Sequence, residues 1–84
     1  MIITVCYFAR FREKLGLQQE QYELTEGHTV AQLLLQLAQR GGVWAELFAC
    51  PQGVLVAVNQ EMSHLQAALN AGDEVALFPP VTGG

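Results

Sequence analysis

The last six residues, Pro79-Pro80-Val81-Thr82-Gly83-Gly84, carry one hydroxyl, that of Thr82, and no carboxyl, imidazole, amine or thiol side chain. Their reactive group is the main-chain carboxylate of Gly84. Each proline fixes φ near −65° and lacks an N–H, so the pair ends a strand and launches the chain in an extended direction. Fully stretched, a segment of this length reaches at most about 20 Å, farther than any side chain. Gly83 and Gly84 have no Cβ and fit a channel too narrow for other residues, at an ordering cost of roughly 1–2 kcal/mol each. A frayed terminus has no need of two prolines after a core strand. The expectation is a folded unit over 1–78 and an extended tail over 79–84, with the Gly84 carboxylate itself the substrate and Pro79, Pro80, Val81, Thr82 and Gly83 delivering it.

Other chemistry-bearing residues form no pattern. Cys6, Cys50, His28 and His64 stand far apart, in no CxxC or HxxxH spacing, so no metal site is expected. Cys6 falls mid-strand and reads as a small hydrophobe. Cys50 precedes Pro51 in a loop, with no adjacent cation or His to lower its pKa. Both are expected to stay reduced.

Composition narrows the function classes. The chain has 84 residues, enough for one domain. Its 51% hydrophobic content excludes intrinsic disorder. With net charge −4 and only Arg10, Arg12, Lys14 and Arg40 as cations, nucleic acid and anionic membrane are poor partners. Three of those cations fall in "RFREK", which reads as a solvated helix face because Glu13 interrupts it. No apolar run is long enough to span a bilayer. "MIITVCYFAR" lacks the basic region and cleavage site of a signal peptide, so a cytoplasmic protein is expected.

Several elements must position the tail. Ile2 to Phe8 is β-branched and aromatic and reads as a strand. "ARFREKLG" follows as a short helix stopped by Gly16, and "QEQYEL" reads as a second strand. The strongest helix signal runs from Thr29 to Arg40. It opens on a Thr29/Gln32 capping box and carries Val30, Leu33, Leu34 and Leu37 on one stripe. Arg40 suits the negative end of that helix, and Gly41 can supply a left-handed cap. "VWAELF" reads as one helical turn with Trp44 as a core or rim aromatic. Val54 to Gln60 reads as an inner strand turning at Asn59-Gln60 before Met62, and Gly72-Asp73 turns into the last strand. This order predicts an α+β fold: the β-grasp, or ubiquitin-like, roll, a mixed sheet of about five strands with one main helix across it.

Alternation along the last strand assigns faces. Val75 and Leu77 should meet the helix, while Glu74, Ala76 and Phe78 point to the other side. Phe78 then either lies under the short first helix or stands exposed at the root of the tail, where an aromatic can anchor a partner. Phe8 falls with Thr4 and Cys6 on the same uncovered side.

The ending "GDEVALFPPVTGG", with "FARFREKLG" after the first strand and "AVNQ" at Ala57–Gln60, resembles the sulfur carrier subunits of molybdopterin synthase, in the MoaD/ThiS family. The specific matches cover about 1–16, 57–60 and 69–84; Leu77 departs from the Phe usual in the family. The resemblance implies a small subunit with no catalytic side chain and no bound cofactor, donating sulfur within an enzyme complex. An E1-like enzyme would adenylate Gly84 with ATP, and a sulfur donor protein would convert it to a thiocarboxylate. The large subunit of molybdopterin synthase, in a heterotetramer of two small and two large subunits, would use that sulfur to build the molybdopterin dithiolene from cyclic pyranopterin monophosphate. The family's partner contacts would map onto Phe8, Met62 and Phe78, with Arg12 at the polar rim. Three rivals remain open: a carrier for thiamine thiazole or tRNA thiolation, a β-grasp protein modifier joined through Gly84, and a plain interaction domain with an idle tail.

Overall fold

A computed structural model describes residues 1–80. Five strands form one sheet: β1 (Ile2–Tyr7), β2 (Gln19–Glu23), β3 (Leu55–Val58), β4 (Glu61–Met62) and β5 (Glu74–Phe78). Their spatial order is β2-β1-β5-β3-β4. The central pair, β1 and β5, is parallel, and every other pairing is antiparallel. Helices α1 (Ala9–Leu15), α2 (Val30–Ala38) and α3 (Val43–Phe48) complete the chain, with a short 3-10 turn at Pro51–Gly53. A mixed sheet grasping one principal helix is the β-grasp arrangement expected from the element order.

The core follows the two periodicities in the sequence. From α2, Val30, Leu33, Leu34 and Leu37 are all fully buried. They meet Ile3, Val5 and Tyr7 of β1, Val56 of β3, and Val75 and Leu77 of β5 in one apolar cluster. At the start of α2, Thr29 Oγ1 accepts from the Gln32 N–H at 3.3 Å, and Gln32 Oε1 accepts from the Thr29 N–H at 2.7 Å. That is the reciprocal box the sequence predicts.

Three expectations change on contact with the structure. Helix α2 stops at Ala38, two residues short of Arg40, and Gly41 takes φ +78° in the turn that follows. Arg40 therefore does not cap a helix end. Its guanidinium turns back to β2 and grips Glu20 in a fork, at 2.9 Å and 3.0 Å, while lying 4.3 Å over the Trp44 ring. Tyr7 donates its hydroxyl to the same carboxylate at 2.7 Å. Burial alone would raise the Glu20 pKa, but the bonds from Arg40 and Tyr7 outweigh it and hold the carboxyl below its ordinary value. Burial, with Glu20 beside it, drives the Tyr7 phenol far above its usual range.

The "RFREK" segment is also only partly a solvated face. Arg10, Arg12, Glu13 and Lys14 are exposed, but Phe11 is buried against Phe48 of α3, with ring centroids 5.0 Å apart. One apolar residue in a polar run gives no periodicity to read, so α3 as the seat of α1 was not visible beforehand. Strand β3 is shorter than expected, because Val54 leaves the 3-10 turn and Asn59-Gln60 already form the hairpin turn.

Candidate functional site: the apolar groove at the root of the tail

The parallel pairing of β1 with β5 places Tyr7 beside Leu77, so the next residues along, Phe8 just past the end of β1 and Phe78 at the end of β5, stand side by side. The Phe8 N–H donates to the Leu77 carbonyl at 3.2 Å, and the two rings stack at 4.7 Å with 13° between their planes. Both lie on the side of the sheet away from the core cluster, as strand alternation requires. Phe78 does not slide under α1; its ring is half-buried against Phe8 and open to solvent on its other side.

Met62 reaches the same place by a different route. Strand β4 pairs with β3 so that Met62 stands opposite Ala57, and β3 pairs with β5 so that Leu55 stands opposite Phe78. Asn59 fixes this hairpin onto β5. Its side chain donates to Asp73 at 3.0 Å and accepts from the Glu74 N–H at 3.0 Å, while its own N–H donates to the Glu74 carbonyl at 2.8 Å. The "AVNQ" stretch thus has a physical role: it holds the methionine alongside the end of β5.

Between these elements lies a groove of about 400 Å³, lined by Ala9, Leu55, Met62, Phe78, Pro79 and Pro80. Phe8 (38%), Leu55 (40%) and Met62 (69%) are exposed here and make the surface apolar; Ile2 and Leu35, also exposed, lie elsewhere. Leu55 and Ala9 were missed from sequence. Leu55 could have been found by extending the alternation of β3, which puts it opposite Val56 and Val58, on the uncovered side. Ala9 could not, since its φ of +52° in the bend from β1 into α1 has no signature in an alanine.

Arg12 is not brought into the groove. It is exposed on α1 and forms no ion pair among the described residues; Arg10, on the same helix, is the cation that flanks Pro80. Cys6 lies on the groove side of the sheet but is nearly buried, and burial together with the nearby Glu74 raises its thiol pKa, which keeps it protonated and unreactive. Among the described residues, no three His, Cys, Asp or Glu side chains cluster as metal ligands would. Val81, Thr82, Gly83 and Gly84 lie outside the described residues.

Residues 5–84 match the ThiS family. The chain belongs to that family. Similarity to individual proteins runs over whole chains. It is 42% identical to the "Molybdopterin synthase sulfur carrier subunit" of Haemophilus influenzae, covering 99% of this chain and 100% of the other. It is 39% identical to the Escherichia coli protein of the same name, again over 99% and 100%. Among solved structures, the small archaeal modifier protein 1 of Haloferax volcanii superposes with a TM-score of 0.78 at 28% identity, over 95% of this chain and 98% of that one. The apolar groove thus lies at the end of β5, beside Pro79 and Pro80.

Proposed function

We propose that this protein is the sulfur carrier subunit of molybdopterin synthase, working in the cytoplasm with the carboxyl group of Gly84 as its functional group. The observation that carries the reading is the "FPPVTGG" ending following directly from an exposed apolar groove, in a ThiS-family chain whose relatives bear that name over their full lengths. An adenylating enzyme of the E1 kind would exchange the pyrophosphate of ATP for the Gly84 carboxylate, giving an acyl adenylate. The terminal sulfur of a donor protein's persulfide would then attack the acyl carbon and displace AMP, giving an acyl disulfide, and a second thiol would reduce that S–S bond, forming a disulfide with the donor and leaving the Gly84 thiocarboxylate. That sulfur, a soft nucleophile ionised at neutral pH, would attack the pterin precursor in the large subunit, and each delivery would return Gly84 as a carboxylate. Two deliveries furnish the two dithiolene sulfurs, which fits a heterotetramer of two small and two large subunits.

In this account the folded domain contributes binding and direction, not proton transfer. Phe8, Leu55, Met62 and Phe78 dock the partner, and Pro79-Pro80 aim the tail into its channel. A rival reading as a protein modifier draws on the likeness to the archaeal modifier protein. Against self-chains, Lys14 is the single lysine.

Intact mass separates the readings. Incubation with the activating enzyme, ATP and a sulfur source should add the mass difference of sulfur for oxygen at Gly84, and nothing should be added without ATP. A variant with one residue appended after Gly84 should melt like the parent and fail to support dithiolene formation. A capped variant that retains full activity overturns the proposal, and isopeptide conjugates on a denaturing gel would favour the modifier.

A further inference from the structure

The side chains of Met1, Cys6, Cys50 and Met62 carry sulfur, and the fold treats them differently. Cys6 is nearly buried in the sheet. Met1 packs against the core cluster, and its amino group donates to the Leu24 carbonyl at 2.8 Å, which pins it there. Cys50 is exposed in a separate, smaller cleft with Arg10 and Glu46. Met62 is the most exposed large hydrophobic among the described residues, and of these four it alone lines the apolar groove.

Position in the sheet explains the exposure. Strand β4 is the outermost strand, consists of Glu61 and Met62 alone, and pairs only with β3. Directly opposite Met62 stands Ala57, too small to cover a methionine. The thioether is therefore open to small solutes. Around it the groove offers nothing polar: Ala9, Leu55, Phe78, Pro79 and Pro80 have no side-chain donor, and the prolines have no N–H.

We propose that Met62 is a reversible oxidation site, and that its sulfoxide switches off docking at the groove. The oxidant is hydrogen peroxide. A sulfur lone pair attacks one peroxide oxygen, and the S–O bond forms as the O–O bond breaks. The departing hydroxide takes the proton from the new S–OH group and leaves as water. Sulfur gives up two electrons and the peroxide accepts them. A flexible apolar side chain has become a polar one. When a partner covers the groove, the sulfoxide oxygen is enclosed among residues that cannot donate to it, and a buried acceptor without a donor weakens the complex. In the free protein that oxygen stays in water, so the fold is unaffected. A methionine sulfoxide reductase with a dithiol restores the thioether, the dithiol becoming a disulfide and the oxygen leaving as water. The consequence for docking rests on the carrier reading above; the site itself rests on exposure and position.

The test uses the full-length protein with Gly84 as a plain carboxylate. It is treated with hydrogen peroxide, freed of it, and given dithiothreitol, which reverses sulfenate and disulfide at Cys50 but leaves sulfoxide in place. Cleavage after Arg and Lys puts Met1 and Met62 on different peptides, and the Met62 peptide should gain one oxygen faster than the Met1 peptide. The melt should move by less than about 4 °C. Calorimetric titration against untreated large subunit should show affinity about tenfold or more below that of the parent. Methionine sulfoxide reductases for both epimers should restore it. In Met62→Leu, whatever its starting affinity, peroxide should cause no further change. Faster oxidation of Met1, a larger melt shift, equal affinity before and after oxidation, or a peroxide-sensitive Met62→Leu variant each overturns the proposal. If the untreated protein does not bind the large subunit, the carrier reading falls, and the order of oxidation in the two peptides still decides the site.

Discussion

The rings of Phe8, just past the end of β1, and Phe78, at the end of the parallel strand β5, lie 4.7 Å apart and 13° from parallel. Each ring therefore holds the other in place before a partner arrives, which lowers the ordering cost of docking. Phe78→Ala should cost about 2 kcal/mol or more of binding, roughly 30-fold in affinity, toward the large subunit and the activating enzyme alike. Because the rings support each other, the Phe8→Ala/Phe78→Ala double variant should lose less than the sum of the single losses. Calorimetric titration of the four proteins checks both points; unchanged affinity beside a collapsed melt would make Phe78 a core residue instead.

Legibility differed between the two sides of the sheet. The covered side was readable because burial imposes period: Val30, Leu33, Leu34 and Leu37 fall at helical spacing, and Val75 with Leu77 at strand spacing. On the uncovered side, Phe8 and Phe78 followed from the same alternation, but Met62 came only from family resemblance. Its position depends on the Asn59–Asp73 link and on pairings between segments far apart in sequence. The Glu20–Arg40–Tyr7 cluster was hidden for a similar reason. Twenty residues separate Glu20 from its arginine, and a helix-end role for Arg40 was the simpler local reading.

Leu34 is fully buried between α2 and the sheet. Leu34→Ala should destabilise the domain by about 2–5 kcal/mol, because it removes transfer energy and leaves a cavity. Urea denaturation monitored by circular dichroism gives the value. A loss below about 1 kcal/mol would mean that the core around Leu34 collapses to fill the space.

Asn59 and Gln60 both take positive φ, at +52° and +71°, as the two-residue loop joining β3 to β4. A hairpin loop of this kind favours Asn-Gly, since both central residues are left-handed. Asn59 fits; Gln60, exposed and carrying a Cβ, is strained there by roughly 1–2 kcal/mol. Glycine's greater freedom in the unfolded chain offsets part of the gain. Gln60→Gly should still raise stability by about 0.5–1 kcal/mol, read as a higher melting temperature with the urea slope unchanged. A lower melt would show that the Gln60 side chain makes a stabilising contact.

Glu20 links three elements through one carboxylate: it accepts from Tyr7 of β1, and it holds Arg40 beyond α2 while Arg40 lies over Trp44 of α3. Burial opposes its ionisation, but the Arg40 and Tyr7 bonds prevail and depress its pKa. A carboxyl with a folded pKa below its unfolded value stabilises the fold above the unfolded value, near 4.3 for Glu, and loses that contribution as pH falls through the folded pKa. At neutral pH, Glu20→Gln should therefore destabilise by about 1.5–3 kcal/mol, the scale of a hydrogen bond to a charged group. The gap between parent and variant should then narrow as pH drops below about 4, because protonation gives the parent a neutral side chain as well. Denaturant titrations of both proteins across that range test the sign, and a gap that stays constant into acid would mean that the charge on Glu20 contributes nothing to holding β2 against the helices.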